Sequence, residues 1–364
     1  MIRILHVVGR MDRGGTESML MTHYRHIEKD KVQFDFVVHT TEPCDFDDEI
    51  QRLGGRIYHI CRFNVMNIVA YRRDWHHLFQ AHPEYKIIHV HHFLVAGIVL
   101  PIATKYGVPI RIAHSHNTRP PIFILKEKIM WIFHGNMIRY ATKYLACSKS
   151  AGQYLFGHKP FMVFPNAIEI DAFRFDQNKR INIRREFGFG QNDFVIGHVG
   201  SFRTKQKNQS FIVDVFANVV KICANARLLF VGVGDLQKDI KEKVQSLGID
   251  NKCVFANSRD DISAVMSAMD VFLFPSFFEG LGIVLIEAQA SGLPCVVSTA
   301  IPQEACITPL VNSLSLNDSI DYWTEAVIKT RCQTNRFAYY ADMKASSYDV
   351  ERNVKLLKQI YGIV

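Results

Sequence analysis

Residues 275–298 read PSFFEGLGIVLIEAQASGLPCVVS, with two glutamates, Glu279 and Glu287, set in an otherwise apolar run. Val271–Pro275 just upstream has the residue types of a buried strand. Glu279-Gly280-Leu281-Gly282 reads as a turn, Ile283–Ala290 as a helix stopped by Ser291-Gly292, and Cys295–Ser298 as the next strand. A strand, a glycine turn, a helix and another strand form the repeating unit of a parallel α/β sheet. Ligands of such sheets bind beyond the carboxyl ends of the strands, where this turn falls. Its glycines let backbone N–H groups approach a ligand, and a helix N-terminus favours negative charge. A carboxylate there suits hydroxyl donors lying beside phosphates, since it can accept two hydrogen bonds from a vicinal diol. Spacing alone leaves two competitors: an acid–base pair of the glycosidase kind, and two unrelated surface glutamates.

The same alternation runs through the whole chain. Strands are expected at Ile2–Val8, Phe34–His39, Ile57–Ile60, Ile87–His91 and Ile110–His114, with helices at Gly14–Glu28 and Asp47–Leu53. After Pro165-Asn166 the pattern restarts. The polar stretch Ala172–Asp193 reads as a linker with a short helix. Strands follow at Phe194–Val199, Ala226–Val231 and Val254–Phe255, with helices at Gln209–Cys223, Gln237–Ser246 and Ile262–Met269. Several runs are continuously apolar, as parallel strands covered on both faces should be. At 364 residues the chain is long enough for two domains. The reading is two Rossmann-like halves, residues 1–170 and 171–345, with a cleft between them. A helix within 346–364 packs back on the first half through Val354, Leu357, Ile360 and Tyr361.

The net charge of +8 suits a polyanion, an anionic membrane surface or phosphorylated ligands. Eight cysteines without a C-x-x-C pair point to reduced thiols of a cytoplasmic protein, not to a disulfide framework or zinc ribbon. The N-terminus lacks a signal-peptide pattern, and no stretch reaches the ~18 uncharged apolar residues needed to span a bilayer. Ile122–Tyr144 mixes aliphatics, Trp131 and basic residues. It reads as an ordinary sheet-covering helix, with a membrane-surface helix as the alternative.

Further candidates lie in loops after strands. Gly14-Gly15 opens a helix directly after the first strand, and its N–H groups suit phosphate. Gly232 and Gly234 form a second glycine turn that lacks the third glycine of a dinucleotide fingerprint. Two H-x-H motifs, at His89–His92 and His114–Asn117, end strands and put alternate imidazoles on one face. They could hold a metal, so a metal hydrolase is one reading of the residues. Asp45-Phe46-Asp47 is a D-x-D triplet before a helix and reads as a structural N-cap.

The form EGLGIVLIEAQASGLPCVVS resembles the E-x7-E signature of the GT4 family of retaining glycosyltransferases, which have the GT-B fold. Its continuation STAIPQEACIT, with GGTES, DDEIQRLGGRIYHI and RIAHSHNT in the first half, resembles members that assemble bacterial exopolysaccharide and capsule. The resemblance implies an α/β GT-B enzyme with two Rossmann-like domains facing each other across a cleft. It would transfer a hexosyl or N-acetylhexosaminyl group from a nucleotide sugar, with UDP expected. The acceptor would be a hydroxyl of a glycan or lipid-linked saccharide.

It implies Glu279 on the donor sugar, Glu287 on the ribose, and the backbone of Gly280, Leu281 and Gly282 along sugar and diphosphate. Lys207 and Arg203 would meet the diphosphate, with Lys205 as a substitute for Arg203, because Ser201 stands where the family usually has arginine. The base is expected near Asn257, Ser258 and Arg259. His116, with His114 as runner-up, is expected against the sugar or the acceptor hydroxyl. No metal or other cofactor is required on this reading, and nucleic acid is not a partner. The expected place is the cytoplasm, with peripheral contact at the inner face of the membrane. A sugar-nucleotide epimerase of the same fold is the other enzyme this pattern allows.

Overall fold

The computed structural model describes residues 1–116, 133–333 and 335–363. Two compact units emerge, Met1–Ala167 with Val350–Val364, and Ile168–Asp349. In the first unit the strands are β1 (Ile2–Val7), β2 (Val32–Val38), β3 (Ile57–His59), β4 (Ile87–Val90), β5 (Ile110–Ser115), β6 (Lys143–Ala146) and β7 (Met162–Val163). They form one parallel sheet in the order β3-β2-β1-β4-β5-β6-β7. All residues of β2 are buried, as a strand covered on both faces requires. The helix Val350–Tyr361 packs on helix Gly15–His26 and buries Val354, Leu357, Ile360 and Tyr361. A polar clasp reinforces this contact. His23 Nε2 lies 2.6 Å from Asn353 Oδ1, and Asn353 Nδ2 donates to the Pro165 carbonyl at 3.1 Å.

The second unit holds β8 (Phe194–Val199), β9 (Ala226–Val231), β10 (Cys253–Phe255), β11 (Val271–Phe274), β12 (Cys295–Ser298) and β13 (Val311–Leu314). Their order is β10-β9-β8-β11-β12-β13, again all parallel. In both units the chain winds outward to one edge, then returns to the middle and winds to the other. The reversal falls between β1 and β4 in the first unit and between β8 and β11 in the second. Such switch points leave a crevice at the carboxyl ends of the two central strands.

Some expectations need correction. Ala172–Asp193 is not mainly linker: it contains helices Ile170–Phe173 in part and Gln177–Glu186 in full. Arg180 and Arg184 of the second helix bind the Asp270 carboxylate at 2.6 and 2.7 Å, which ties this polar segment to the start of β11. The helix after the D-x-D triplet begins at Asp47, and its N-cap is Phe46, with no side-chain cap. The carboxylates serve the preceding loop instead. Asp47 accepts the Cys44 N–H at 2.8 Å and Asp45 the Arg13 N–H at 3.0 Å. Residues 122–132 of the Ile122–Tyr144 stretch lie outside the described residues, and 133–140 are helical. No helix among the described residues is long and apolar enough to cross a membrane.

Candidate functional site

Three loops at the carboxyl ends of β8, β9 and β10 interlock through backbone. Gly200 N–H donates to Val231 O at 2.9 Å, Phe202 N–H to Val233 O at 2.9 Å, and Gly232 N–H to Asn257 O at 2.7 Å. Gly232 and Gly234 have φ of +137° and +148°, a region that favours glycine. A Cβ on Gly232 would stand 2.1 Å from the Gly200 carbonyl oxygen. The glycine turn is therefore required by close packing of two loops. We expect Gly232→Ala to lower unfolding free energy by about 1–3 kcal/mol, measured by chemical denaturation.

The loop after β8 also grips the loop after β11, the stretch holding Glu279. Phe277 N–H donates to Gln206 O at 2.9 Å, Gln206 Nε2 to Phe278 O at 2.9 Å, and Asn208 Nδ2 to Pro275 O at 3.2 Å. Asn208 takes a left-handed conformation, φ +55°, to enter helix Gln209–Ile222. These bonds bring Lys207 against Glu279. The Glu279 carboxylate accepts from Lys207 Nζ at 2.7 Å, with the side chains only 7% and 19% exposed. The ammonium also lies 5.0 Å from the centre of the Phe274 ring.

Beyond Glu279 the chain turns through Gly282, φ +78°, into helix Ile283–Ala290. The N–H groups of Gly280, Leu281 and Gly282 have no hydrogen-bond partner among the described residues. Glu287 stands one turn further along this helix. Val284, Leu285, Ile286 and Ala288 beside it are buried, while Glu287 keeps a partly exposed surface. Its carboxyl has no partner among the described residues, and burial pushes it up to about 8. The switch point thus combines an ion pair, three open N–H donors and a carboxyl group without a partner. That set matches an anion joined to a polyol.

Arg203 and Lys205 are exposed on the same loop, without an ion-pair partner among the described residues. Arg259, by contrast, already has its charge matched. It binds Asp261 at 2.7 Å, pairs with Glu186, and lies 5.1 Å from the centre of the Phe187 ring. Gly14 and Gly15 lie in the first unit, where Gly14 caps helix Gly15–His26. Glu17 folds back so that its Oε2 would be 2.4 Å from a Cβ on Gly14, which already puts a carboxylate at that helix start.

Both H-x-H motifs converge in the first unit, together with His6 of β1, which the sequence reading did not single out. His116 Nε2 lies 2.9 Å from His91 Nδ1, and His91 Nε2 lies 3.1 Å from His6 Nδ1. His114 Nδ1 lies 3.1 Å from His89 Nε2, and His89 Nδ1 lies 2.8 Å from the Tyr361 hydroxyl. Burial holds all five imidazoles below their ordinary value, His116 at about 3, so they are neutral near pH 7.

Comparison with known proteins places these features in a family. A model described as "Glycosyltransferase Family 4" matches residues 13–172, and one described as "Glycosyl transferases group 1" matches residues 193–330. EpsF of Bacillus subtilis (strain 168) is 31% identical over 371 residues, covering 99% of this chain and 96% of EpsF. The chain belongs to glycosyltransferase family 4. Another relative of this family 4 enzyme is the Staphylococcus aureus capsular polysaccharide biosynthesis glycosyltransferase CapH. It is 23% identical over 377 residues, with 99% of each chain covered. The crystal structure of Anabaena Alr3699/HepE in complex with UDP and glucose superposes with a TM-score of 0.81 over 100% of both chains, at 18% identity. That likeness gives the family 4 chain the GT-B fold. Membership in a transferase family sets aside the metal-hydrolase reading of the histidines.

Proposed function

We propose that this glycosyltransferase moves a hexose or N-acetylhexosamine from a UDP-sugar to a hydroxyl of a glycan or lipid-linked saccharide, with retention, during exopolysaccharide or capsule assembly. One observation carries the reading: the Lys207–Glu279 pair, the open N–H groups of residues 280–282 and the partnerless Glu287 lie together at the switch point of the second unit. The UDP and glucose bound to HepE and the capsular role in the name of CapH agree with it.

On this reading Glu287 accepts the ribose diol, and Glu279 accepts sugar hydroxyls. Lys207, Arg203 and the N–H groups of Gly280, Leu281 and Gly282 hold the diphosphate. Charge on the leaving oxygen grows as the glycosidic bond breaks, so fixed donors aimed there lower the barrier. The acceptor hydroxyl attacks from the face the diphosphate leaves, and a diphosphate oxygen takes its proton. His116 is assigned to orienting that hydroxyl through its neutral imidazole.

Thermal shift with UDP-, GDP- and ADP-sugars tests the donor, and NMR of the product tests the anomer. The expected result is stabilisation by a UDP-sugar, a product with the donor's anomeric configuration, and full turnover in EDTA. An epimer formed from nucleotide sugar alone, without acceptor, would overturn the transferase assignment.

A further inference from the structure

We propose that the turn Val65–Asn67 and the outer face of helix Ile68–Ala81, in the first unit, form a docking surface for an anionic lipid bilayer. Apolar side chains are held out in water here: Met66 is 97% exposed, Val69 79% and Val65 54%. The turn is not loose. The Asn64 N–H donates to Asn67 Oδ1 and the Asn67 N–H to Asn64 Oδ1, both at 2.9 Å, and Asn67 Nδ2 donates to the Arg62 carbonyl at 2.9 Å. Phe63 anchors it from behind on Tyr71, with ring centres 5.4 Å apart. The helix that follows buries Tyr71, Trp75, Leu78 and Phe79. The outer face of a surface helix is ordinarily polar, yet here it opens with Val69 and continues with exposed Arg72, Arg73 and His77.

The charge around these apolar residues selects the partner. Between residues 61 and 81 the chain carries three arginines and one aspartate. Asp74 lies 3.8 Å from Arg73, whereas Arg62 and Arg72 have no ion-pair partner among the described residues. Lys105 adds to the same field: burial, then the charges of Lys105, Arg72 and His77, hold the His76 imidazole below its ordinary value. Three apolar side chains are too few for the roughly 800 Å² per partner that a stable protein interface buries. A bilayer asks less, because a few apolar side chains enter the boundary of headgroups and acyl chains while basic residues beside them meet anionic headgroups. Arginine suits such an edge, its stem lying along apolar surface and its guanidinium reaching phosphate. Position in the fold agrees. The turn follows the carboxyl end of β3, and His116 follows that of β5 in the same parallel sheet, four strand spacings or about 19 Å away. A bilayer on the turn brings a lipid-linked acceptor to the edge of the sheet that holds His116, and this last point alone rests on the proposed function.

Vesicle binding tests this without donor, acceptor or turnover, so its outcome is separate from that of the transferase reading. The full chain, untagged, is sedimented with vesicles of equal parts phosphatidylglycerol and phosphatidylcholine, and with vesicles of phosphatidylcholine alone. Binding is expected to the first and not to the second, and it weakens as salt rises. Met66→Ser with Val69→Ser should weaken it at least about tenfold, and Arg72→Gln with Arg73→Gln about 10- to 30-fold. All four positions are exposed, so the variants keep the wild-type thermal unfolding. Ile222→Ser, at an exposed apolar position of the second unit, leaves binding unchanged. Absence of wild-type binding to the anionic vesicles overturns the proposal. So does binding that neither double variant weakens. A self-associated chain that Met66→Ser with Val69→Ser turns monomeric also overturns it, since the turn is then a contact between copies.

Discussion

Lys207→Ala lowers kcat about 100- to 1,000-fold, the size of effect seen when one fixed donor to a developing anion is removed. The ammonium is held in place by three interloop hydrogen bonds and by Glu279, so water cannot supply an equivalent charge at the same point. Affinity for free UDP falls less than kcat, because the leaving oxygen carries more charge in the transition state than in the bound substrate. A structural cost accompanies the kinetic one. Removing Lys207 leaves Glu279, only 7% exposed, without its partner. Unfolding free energy should drop by about 1–3 kcal/mol. Lys207→Met with Glu279→Gln recovers much of that stability while turnover stays low. Steady-state kinetics and denaturation of the two variants beside wild type separate the effects, and a kcat for Lys207→Ala within about threefold of wild type would refute the assignment.

The second large effect concerns Glu287. In the free protein its carboxyl titrates near 8 because burial disfavours the charge. A ribose diol donating two hydrogen bonds favours the carboxylate, so the bound group titrates lower. Nucleotide affinity therefore rises with pH up to about 8 and levels off above it. Glu287→Gln should remove this dependence and weaken UDP about 10- to 100-fold at alkaline pH, the worth of one to two hydrogen bonds to a charged acceptor. Calorimetry from pH 6 to 9 checks both. The stability of the free protein runs the opposite way. The folded carboxyl holds a proton that the unfolded chain, near its ordinary value of about 4.3, has released. Its contribution is full below that value and is lost as pH rises through about 8. A wild-type protein whose UDP affinity is flat from pH 6 to 9 would contradict the role given to Glu287.

Much of the second unit was legible because its strands are apolar runs bounded by glycine turns, and Glu279 and Glu287 are fixed by local spacing. What was not legible depends on contacts distant in sequence. Nothing near Lys207 shows that it meets Glu279 across an interloop clasp, nor that Glu186 and Asp261 already neutralise Arg259. β6, β7 and β13 escaped notice because KYLA, MV and VNSL are short and partly exposed. Helix Phe93–Lys105 has no polar face to give it a period, since eight of its residues are buried, and Pro101 lies inside it. His6 is a lone histidine in a buried strand, and only pairing with β4 brings it to His89. The H-x-H motifs gave the right local geometry, alternate imidazoles on one face, but the inference from them to hydrolysis had no support beyond the residue types.

The helix Val350–Tyr361 completes the first unit, yet the whole of the second unit lies between it and the rest of that unit in sequence. During synthesis the sheet β1–β7 must therefore wait for this piece. At about 5–20 residues per second the delay is roughly 10–40 s. Throughout it, the surfaces later covered by Val354, Leu357, Ile360 and Tyr361 face solvent, and His89 lacks the Tyr361 hydroxyl. The second unit, contiguous in sequence, is under no such constraint. Its pieces emerge in one uninterrupted run, while the first is still an open intermediate that chaperones can bind.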